Sequence, residues 1–175
     1  MKPTPAASTK LLTRDIYLPK FSNAFNYRRV IGQLNYLEKG TRPDIAYAVH
    51  QCARLCSDPR KTHAGAIIHF YKYLQGTRDK EIIINPSTDL SLKCYVDADV
   101  IGDYHKRTAA YDASTAISRT GLIIFFAECP IIWTSKLQTC IALSSCVSVY
   151  YALSQALRSS GTSRGNTYYG AFERD

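Results

Sequence analysis

The chain has 175 residues, of which 46% are hydrophobic, so it can bury a core and is not disordered over most of its length. No segment approaches the roughly 20 apolar residues that a membrane helix needs, and the first residues, MKPTPAASTKLLTR, lack the apolar block of a secretory signal. The six cysteines include no C-x-x-C pair of the zinc-binding kind, so we expect reduced thiols. Composition predicts an intracellular protein, cytoplasmic or nuclear, without a membrane partner.

The formal charge of +8 is concentrated in the first half of the chain. Residues 1–80 contain 14 Lys and Arg against 5 Asp and Glu, whereas residues 81–175 contain 8 against 9. A basic field attracts polyanions, and counterion release makes its affinity for nucleic acid depend on salt. A merely solvated basic surface accounts for the charge equally well, so charge alone leaves both interpretations open.

Three amphipathic helices are predicted after residues 1–23, a stretch rich in Pro and Ser that has the character of a linker or disordered lead-in. The first helix starts at Tyr27, where apolar residues begin to recur with helical spacing. The second starts near Pro43, whose missing N–H is harmless in a first helical turn, and the third is capped by Thr62. Residues 24–80 therefore predict a helical layer.

The pattern changes to strands after residue 80. A short strand is predicted from Glu81 to Asn85, and three longer ones run from Leu92 to Ala98, from Gly121 to Ala127 and from Ile131 to Thr134. Short connections between strands imply an antiparallel sheet. The fold class is therefore α+β, with the helical layer preceding the sheet.

One further helix is predicted to cover the sheet. It starts at Ser144 or Ser145, and its predicted apolar face consists of Val149, Ala152, Leu153, Ala156 and Leu157. Residues 159–175 show no hydrophobic period, which predicts an unstructured tail.

Asp97 and Asp99 form the one acidic cluster with a catalytic character. They stand two apart at the end of a predicted strand, so both carboxylates point to the same side and could share a hard cation such as Mg²⁺. A polar strand end that runs into a loop is the alternative interpretation.

Eight sequence blocks occur in a specific order: YRRVIGQLNYL, TRPDIAYAV, YLQGTRD, YVDADVIGD, SRTG, PIIWTSKLQ, IALSS and YALSQAL. In order and spacing they resemble the junction of reverse transcriptase and ribonuclease H in the Pol polyprotein of copia-type LTR retrotransposons. The resemblance covers about residues 24–158. It implies that residues 24–80 correspond to the reverse transcriptase connection, which cradles template and primer, and residues 81–158 to a partial, truncated ribonuclease H-like domain.

In that family, four carboxylates hold two Mg²⁺ ions that hydrolyse the RNA strand of an RNA–DNA hybrid. Asp97 matches the first carboxylate, and Asp99 is a weaker candidate ligand in the same motif. Val147 and Val149 stand where the family pattern LSSTEAEYxALSQA has glutamates, and Val149 occupies the position of the ligand. Nothing after Tyr150 matches the C-D-N-like block that introduces the remaining carboxylates. The resemblance therefore implies a chain that does not bind Mg²⁺ functionally and does not cut; polymerase activity is not expected either, because the family's polymerase aspartates lie upstream.

The resemblance also implies an RNA–DNA hybrid or another nucleic acid as a low-affinity partner. The candidate phosphate contacts are Arg28, Arg29, Arg42, Arg54, Arg60, Lys61 and Lys72. The run Arg42-Pro43-Asp44 is equally typical of a helix start with an acidic first turn. In the family's fold a later strand pairs with the strand that carries Asp97; none is predicted here, so an exposed sheet edge that supports self-association is expected.

Three hypotheses remain at this point. The chain is a degenerate, inactive polyprotein fragment with residual nucleic-acid binding, or a repurposed RNA/DNA-binding or interaction protein without catalysis, or a competent ribonuclease H that receives its missing carboxylates from another chain.

Overall fold

The structure, a computed structural model, describes residues 2–6, 12–14, 17–22, 24–99 and 112–161; of residues 160 and 161 it describes the backbone alone. The chain is α+β and divides into two compact units, one of Met1–Ile82 with Ile101–Ile117 and one of Ile83–Val100 with Ser118–Asp175. Residues 159–161 belong to the last helix and not to the unstructured tail that the sequence predicts. The rest of the predicted tail and residues 100–111, between two predicted strands, lie outside the described residues. No helix in the described part is long and apolar enough to cross a membrane.

The first unit contains the three predicted helices, which are confirmed. They are α1 (Tyr27–Thr41), α2 (Ala46–Ala53, preceded by a 3₁₀ turn at Pro43–Ile45) and α3 (Lys61–Gly76). Each helix turns one apolar stripe to a shared core, and Ile31, Ile45 and Ile67 lie at its centre with almost no exposed surface. Helical spacing of apolar residues thus turns the polar faces of α1 and α3 outward, whereas every residue of α2 is buried or partly buried.

The start of α3 differs from the prediction that Thr62 caps it. The helix begins at Lys61, and the imidazole of His63 accepts a hydrogen bond from the backbone N–H of Arg60 through Nδ1 at 3.0 Å. The predicted lead-in contributes here as well: Lys61 N donates to Pro19 O at 2.9 Å, and Phe21 packs against the helical core. The side chain of His63, in the first turn, therefore satisfies the backbone N–H of Arg60, the residue that precedes the helix.

The second unit is a three-stranded antiparallel sheet in the order β1-β2-β3, formed by β1 (Leu92–Asp99), β2 (Arg119–Phe126) and β3 (Cys129–Leu137). The helix α4 (Ser145–Gly161) follows, with the side chain of Ser144 accepting from Val147 N at 3.3 Å. This arrangement is consistent with a truncated ribonuclease H-like fold. The predicted strand from Glu81 to Asn85 is wrong: the segment has no strand, and Ile83 and Ile84 are largely exposed because no described strand pairs with it.

The face of α4 that meets the sheet also differs from the prediction. Ser148, Ala152 and Ala156, four residues apart, are buried, and Ala156 packs with Leu122 and Ile124 of β2. The predicted apolar face placed Val149 and Leu157 inside, yet both are substantially exposed. Small side chains let the helix approach the sheet closely. The face of α4 that contacts the sheet is therefore the one with the smallest side chains, not the one with the most hydrophobic side chains.

Candidate nucleic-acid interface

Each acidic residue between residues 24 and 80 lies in an ion pair with a basic neighbour. The pairs are Glu38–Lys39 at 3.2 Å, Asp44–Arg42 at 2.8 Å, Asp58–Arg60 at 2.5 Å and Asp79–Arg78 at 3.6 Å. Arg54 lies 3.8 Å from Asp112. The basic side chains of this segment that have no acidic partner among the described residues are Arg28, Arg29, Lys61, Lys72 and Lys80.

Four of these unpaired residues belong to the predicted phosphate contacts. Arg28 and Arg29 are exposed in the first turn of α1, and Lys61 and Lys72 are exposed on α3. Lys61 and Lys72 are 11 residues apart, which places them on nearly the same line of the helix at a separation of roughly 16 Å. The sequence of α3 contains no acidic residue, and the one in α1, Glu38, is fully buried. The outer faces of both helices therefore carry uncompensated positive charge.

Arg42, by contrast, is an internal residue. Its Nε and Nη2 donate to the two carboxylate oxygens of Asp44 at 2.9 and 2.8 Å, and Nη1 and Nη2 donate to the carbonyl and hydroxyl oxygens of Thr77 at 3.2 and 2.8 Å. The hydrogen bond to Asp44 raises the pKa of Arg42, although burial opposes it. The geometry favours the alternative interpretation of Arg42-Pro43-Asp44 as a helix start.

Arg54 and Arg60 also point into the protein. The Arg54 guanidinium donates to Gln51 Oε1 at 3.1 Å and to the hydroxyl of Ser114, and burial lowers its pKa while Asp112 opposes the shift. Arg60 donates to the carbonyl of Leu18 at 3.0 Å. Both side chains hold distant segments against the helices, so neither presents its charge outward.

The acidic pair lies at the end of β1. Asp97 and Asp99 are on the exposed side of the strand, which alternates with the side of Val96 and Ala98, and Asp97 Oδ1 accepts from Ala98 N at 2.8 Å. Across the ladder, Asp99 is opposite Arg119. Among the described residues, no group of three or more His, Cys, Asp or Glu side chains could hold a metal ion.

The positions where the family pattern has glutamates lie on α4. Val147 and Val149 are both partly exposed, Val149 by 41%, beside rather than within the stripe that meets the sheet. In the described sheet, β1 is an edge strand. Self-association through that edge stays a prediction.

Sequence reasoning missed Tyr36, whose side chain is 84% exposed on α1. A signal for it was available, because Tyr36 falls off the apolar stripe of the helix and on the same line as Arg29, seven residues earlier. An aromatic ring on a basic helix face is one of the features from which nucleic-acid-binding surfaces are built.

Comparison with curated proteins finds similarity to transposon polyproteins. The chain is 37% identical over 129 residues to the retrovirus-related Pol polyprotein from transposon TNT 1-94 of Nicotiana tabacum, which covers 74% of the chain and 9% of that polyprotein. It is 35% identical over 147 residues to the retrovirus-related Pol polyprotein from transposon RE2 of Arabidopsis thaliana, which covers 84% of the chain and 9% of that polyprotein. No protein-family model and no solved structure matches the sequence.

A shorter relative matches over most of its own length. The chain is 34% identical over 130 residues to the secreted RxLR effector protein 161 of Plasmopara viticola, covering 74% of the chain and 85% of that protein. The chain spans only 9% of the length of the two polyproteins, but the similarity extends through both the helical and the sheet unit. The chain therefore belongs to the retrovirus-related Pol polyproteins of copia-type retrotransposons.

Proposed function

We propose that this chain binds nucleic acid through Arg28, Arg29, Lys61 and Lys72 and does not cut what it binds. The observation that carries the proposal is the pairing pattern of residues 24–80: each acidic residue of that segment is paired with a basic neighbour, while these four exposed cations have no acidic partner among the described residues. Phosphates are the complementary charge. The segment corresponds to the reverse transcriptase end of the polyprotein, and the bound species is an RNA–DNA hybrid or a related nucleic acid.

The lack of cutting is proposed from the donor set. Two-metal hydrolysis needs several carboxylates around two ions. Mg²⁺ loses its bound water reluctantly, so one or two carboxylates hold it only weakly. Asp97 and Asp99 supply two carboxylates, whereas the two family positions on α4 are Val147 and Val149. Arg119, the residue opposite Asp99 in the ladder, supplies a guanidinium rather than a further carboxylate, and that guanidinium donates to Ser135 of β3. These residues do not fit the family's two-ion site.

A salt titration of binding tests the first part of the proposal. Fluorescence anisotropy of a labelled RNA–DNA hybrid, measured between 50 and 200 mM salt, compares the chain with the double variant Arg29→Gln/Lys72→Gln. Each lost phosphate contact flattens the slope of log affinity against log salt by about 0.9. We expect weaker binding and a slope reduced by almost two.

The matched control is Lys39→Gln/Arg78→Gln, which removes the same charge from two exposed side chains that are paired with Glu38 and Asp79. We expect it to retain most of the slope. Equal losses in both double variants, or wild-type binding that is flat across salt, would contradict the proposed interface.

Incubation of the purified chain with a hybrid and Mg²⁺ tests the second part. We expect no cleavage of the RNA strand. Cleavage that disappears in Asp97→Asn would show a competent ribonuclease and overturn this part. Binding without cleavage also agrees with the alternative of a repurposed nucleic-acid-binding protein, which the paired and unpaired charges support equally.

A further inference from the structure

The outer face of α1 carries three residues in one line, Arg29, Gly32 and Tyr36, which we call the Tyr36 stripe. Arg29 is exposed and has no acidic partner among the described residues, and the ring of Tyr36 is 84% exposed. The stripe lies opposite the face of Tyr27, Ile31 and Leu34 that enters the core. None of its side chains therefore takes part in holding the helical unit together.

Gly32 stands between the two side chains. A Cβ added there would meet nothing within 4 Å among the described residues, so no close packing in that part of the chain calls for a glycine. Glycine in a helix interior is unfavourable relative to alanine, and such a position usually has a packing or functional reason. Because Gly32 has no side chain, the backbone of α1 is uncovered one turn before the ring of Tyr36.

The outer face of α3 provides a comparison within the same unit. Its line runs through Lys61, Gly65, Ile68 and Lys72; Gly65 is equally free of neighbours, and Ile68 is 51% exposed. This line offers charge and an aliphatic side chain but no aromatic face. The outer faces of α1 and α3 thus share a cationic character, but the exposed ring of α3, Tyr71, lies beside this line and is 41% exposed, against 84% for Tyr36.

We infer that the Tyr36 stripe is a stacking platform for an unpaired base, which makes single-stranded nucleic acid the preferred ligand of the chain. A base lies flat on Tyr36, and Arg29, about 10 Å along the helix, contacts a phosphate of the same strand. Bases in a duplex are stacked on one another and cannot reach the ring without being flipped out. The inference rests on the proposed function and narrows it: the basic residues contact the phosphates of a hybrid or of a single strand, and the ring adds affinity for the single strand alone.

Base stacking on an aromatic ring has a measurable size. Removal of such a ring weakens binding by about 1–3 kcal/mol per base, which corresponds to roughly fivefold to 150-fold. The test measures anisotropy with a labelled 12-nucleotide oligouridylate and with a 12-base-pair duplex at one salt concentration. We expect Tyr36→Leu to bind the single strand at least fivefold more weakly and the duplex within twofold of the wild type.

Two control variants separate stacking from other losses. Tyr36→Phe keeps the aromatic face and is expected to bind like the wild type. Tyr150→Leu removes another well-exposed ring, 72% exposed on α4, and is expected to change neither affinity. Circular dichroism of each variant verifies that the helices are retained.

The outcomes distinguish this inference from the proposed function. If Tyr36→Leu binds the single strand like the wild type while Arg29→Gln/Lys72→Gln binds weakly, the stacking platform is overturned and the basic interface stands. If Tyr36→Leu loses affinity for strand and duplex equally, the ring is a general contact and the preference is overturned. If the wild type binds neither ligand, both proposals fall.

Discussion

The guanidinium of Arg42 and the carboxylate of Asp44 form a two-point fork, with Nε donating to Oδ1 at 2.9 Å and Nη2 donating to Oδ2 at 2.8 Å. Tyr73 of α3 donates to the same carboxylate at 2.7 Å, and its ring lies under the guanidinium, 5.8 Å from the centroid to Cζ. The cluster joins the turn before α2 to the end of α3. A basic residue that sequence reasoning grouped with the phosphate contacts is thus a structural link inside the unit.

Arg42→Gln should therefore destabilise the protein without acting as a binding variant. The substitution removes the fork and the guanidinium bonds to Thr77, and it leaves the Asp44 carboxylate with the hydrogen bond from Tyr73. We expect these losses to lower the free energy of unfolding by about 2 kcal/mol. Urea denaturation measures the loss. The matched control is Arg28→Gln, an exposed cation on α1, for which we expect a change within about 0.5 kcal/mol. Similar small values for both variants would contradict an internal role for Arg42.

His63 gives the stability of the helical unit a pH dependence. Its Nδ1 accepts from Arg60 N, so the proton resides on Nε2, which donates to Thr13 O at 3.0 Å. Burial lowers the pKa of His63, the charge of Arg60 lowers it further, and the Thr13 carbonyl and Asp58 oppose the shift. The folded state thus takes up the second ring proton, which would add at Nδ1, less readily than the unfolded chain, whose histidine has a pKa of about 6.5.

The sign of the effect follows from that difference. The contribution of His63 is fully present above about pH 6.5 and is lost as the pH falls from there through the lowered folded pKa. We expect the urea midpoint to fall between pH 7.5 and 5.5 and this fall to become smaller in His63→Gln. His69→Gln, which removes a less buried histidine of the same helix, is expected to leave the dependence in place. An unchanged pH profile in His63→Gln would contradict the assignment.

Local periodicity predicted the parts of the fold that depend on local geometry. The stripe of Ile31 and Leu34 points inward because a helix repeats every 3.6 residues whatever its partner is. The side chain of Arg42 lies inside the protein because it binds Thr77, 35 residues away in the sequence. Local spacing does not reveal such a contact, so the sequence pattern did not distinguish Arg42 from the exposed Arg28. The strand predicted at Glu81 failed for the same reason, since β propensity requires a neighbouring strand to form a ladder.

The turn between β2 and β3 contains two residues in a backbone conformation that usually requires glycine. Ala127 and Glu128 have φ values of 49° and 64°. For a residue with a Cβ this conformation costs about 1 kcal/mol, and two-residue hairpins favour glycine in it. We expect Glu128→Gly to have a higher free energy of unfolding than Glu128→Ala, by about 1 kcal/mol.

The comparison with Glu128→Ala is the control, because both variants lose the ion pair with Lys93 and only one relieves the backbone. Thermal unfolding of the two proteins side by side measures the difference. Equal stabilities, or a more stable alanine variant, would show that the turn is not strained at Glu128.

Val149→Glu restores the glutamate of the family pattern at its position on α4. The side chain is 41% exposed and lies outside the stripe of Ser148, Ala152 and Ala156, so we expect the free energy of unfolding to change by less than about 0.5 kcal/mol. Ala152→Glu is the contrasting variant, because a carboxylate at that fully buried position loses its water without gaining a partner. We expect it to lower the free energy of unfolding by more than about 2 kcal/mol.

A hybrid-cleavage assay with Mg²⁺ tests whether Val149→Glu gains activity. One carboxylate added to Asp97 and Asp99 still falls short of a four-carboxylate site, so we expect Val149→Glu to remain inactive. Cleavage by the Val149→Glu variant that disappears when Asp97→Asn is added would show that the missing glutamate alone accounts for the proposed loss of activity.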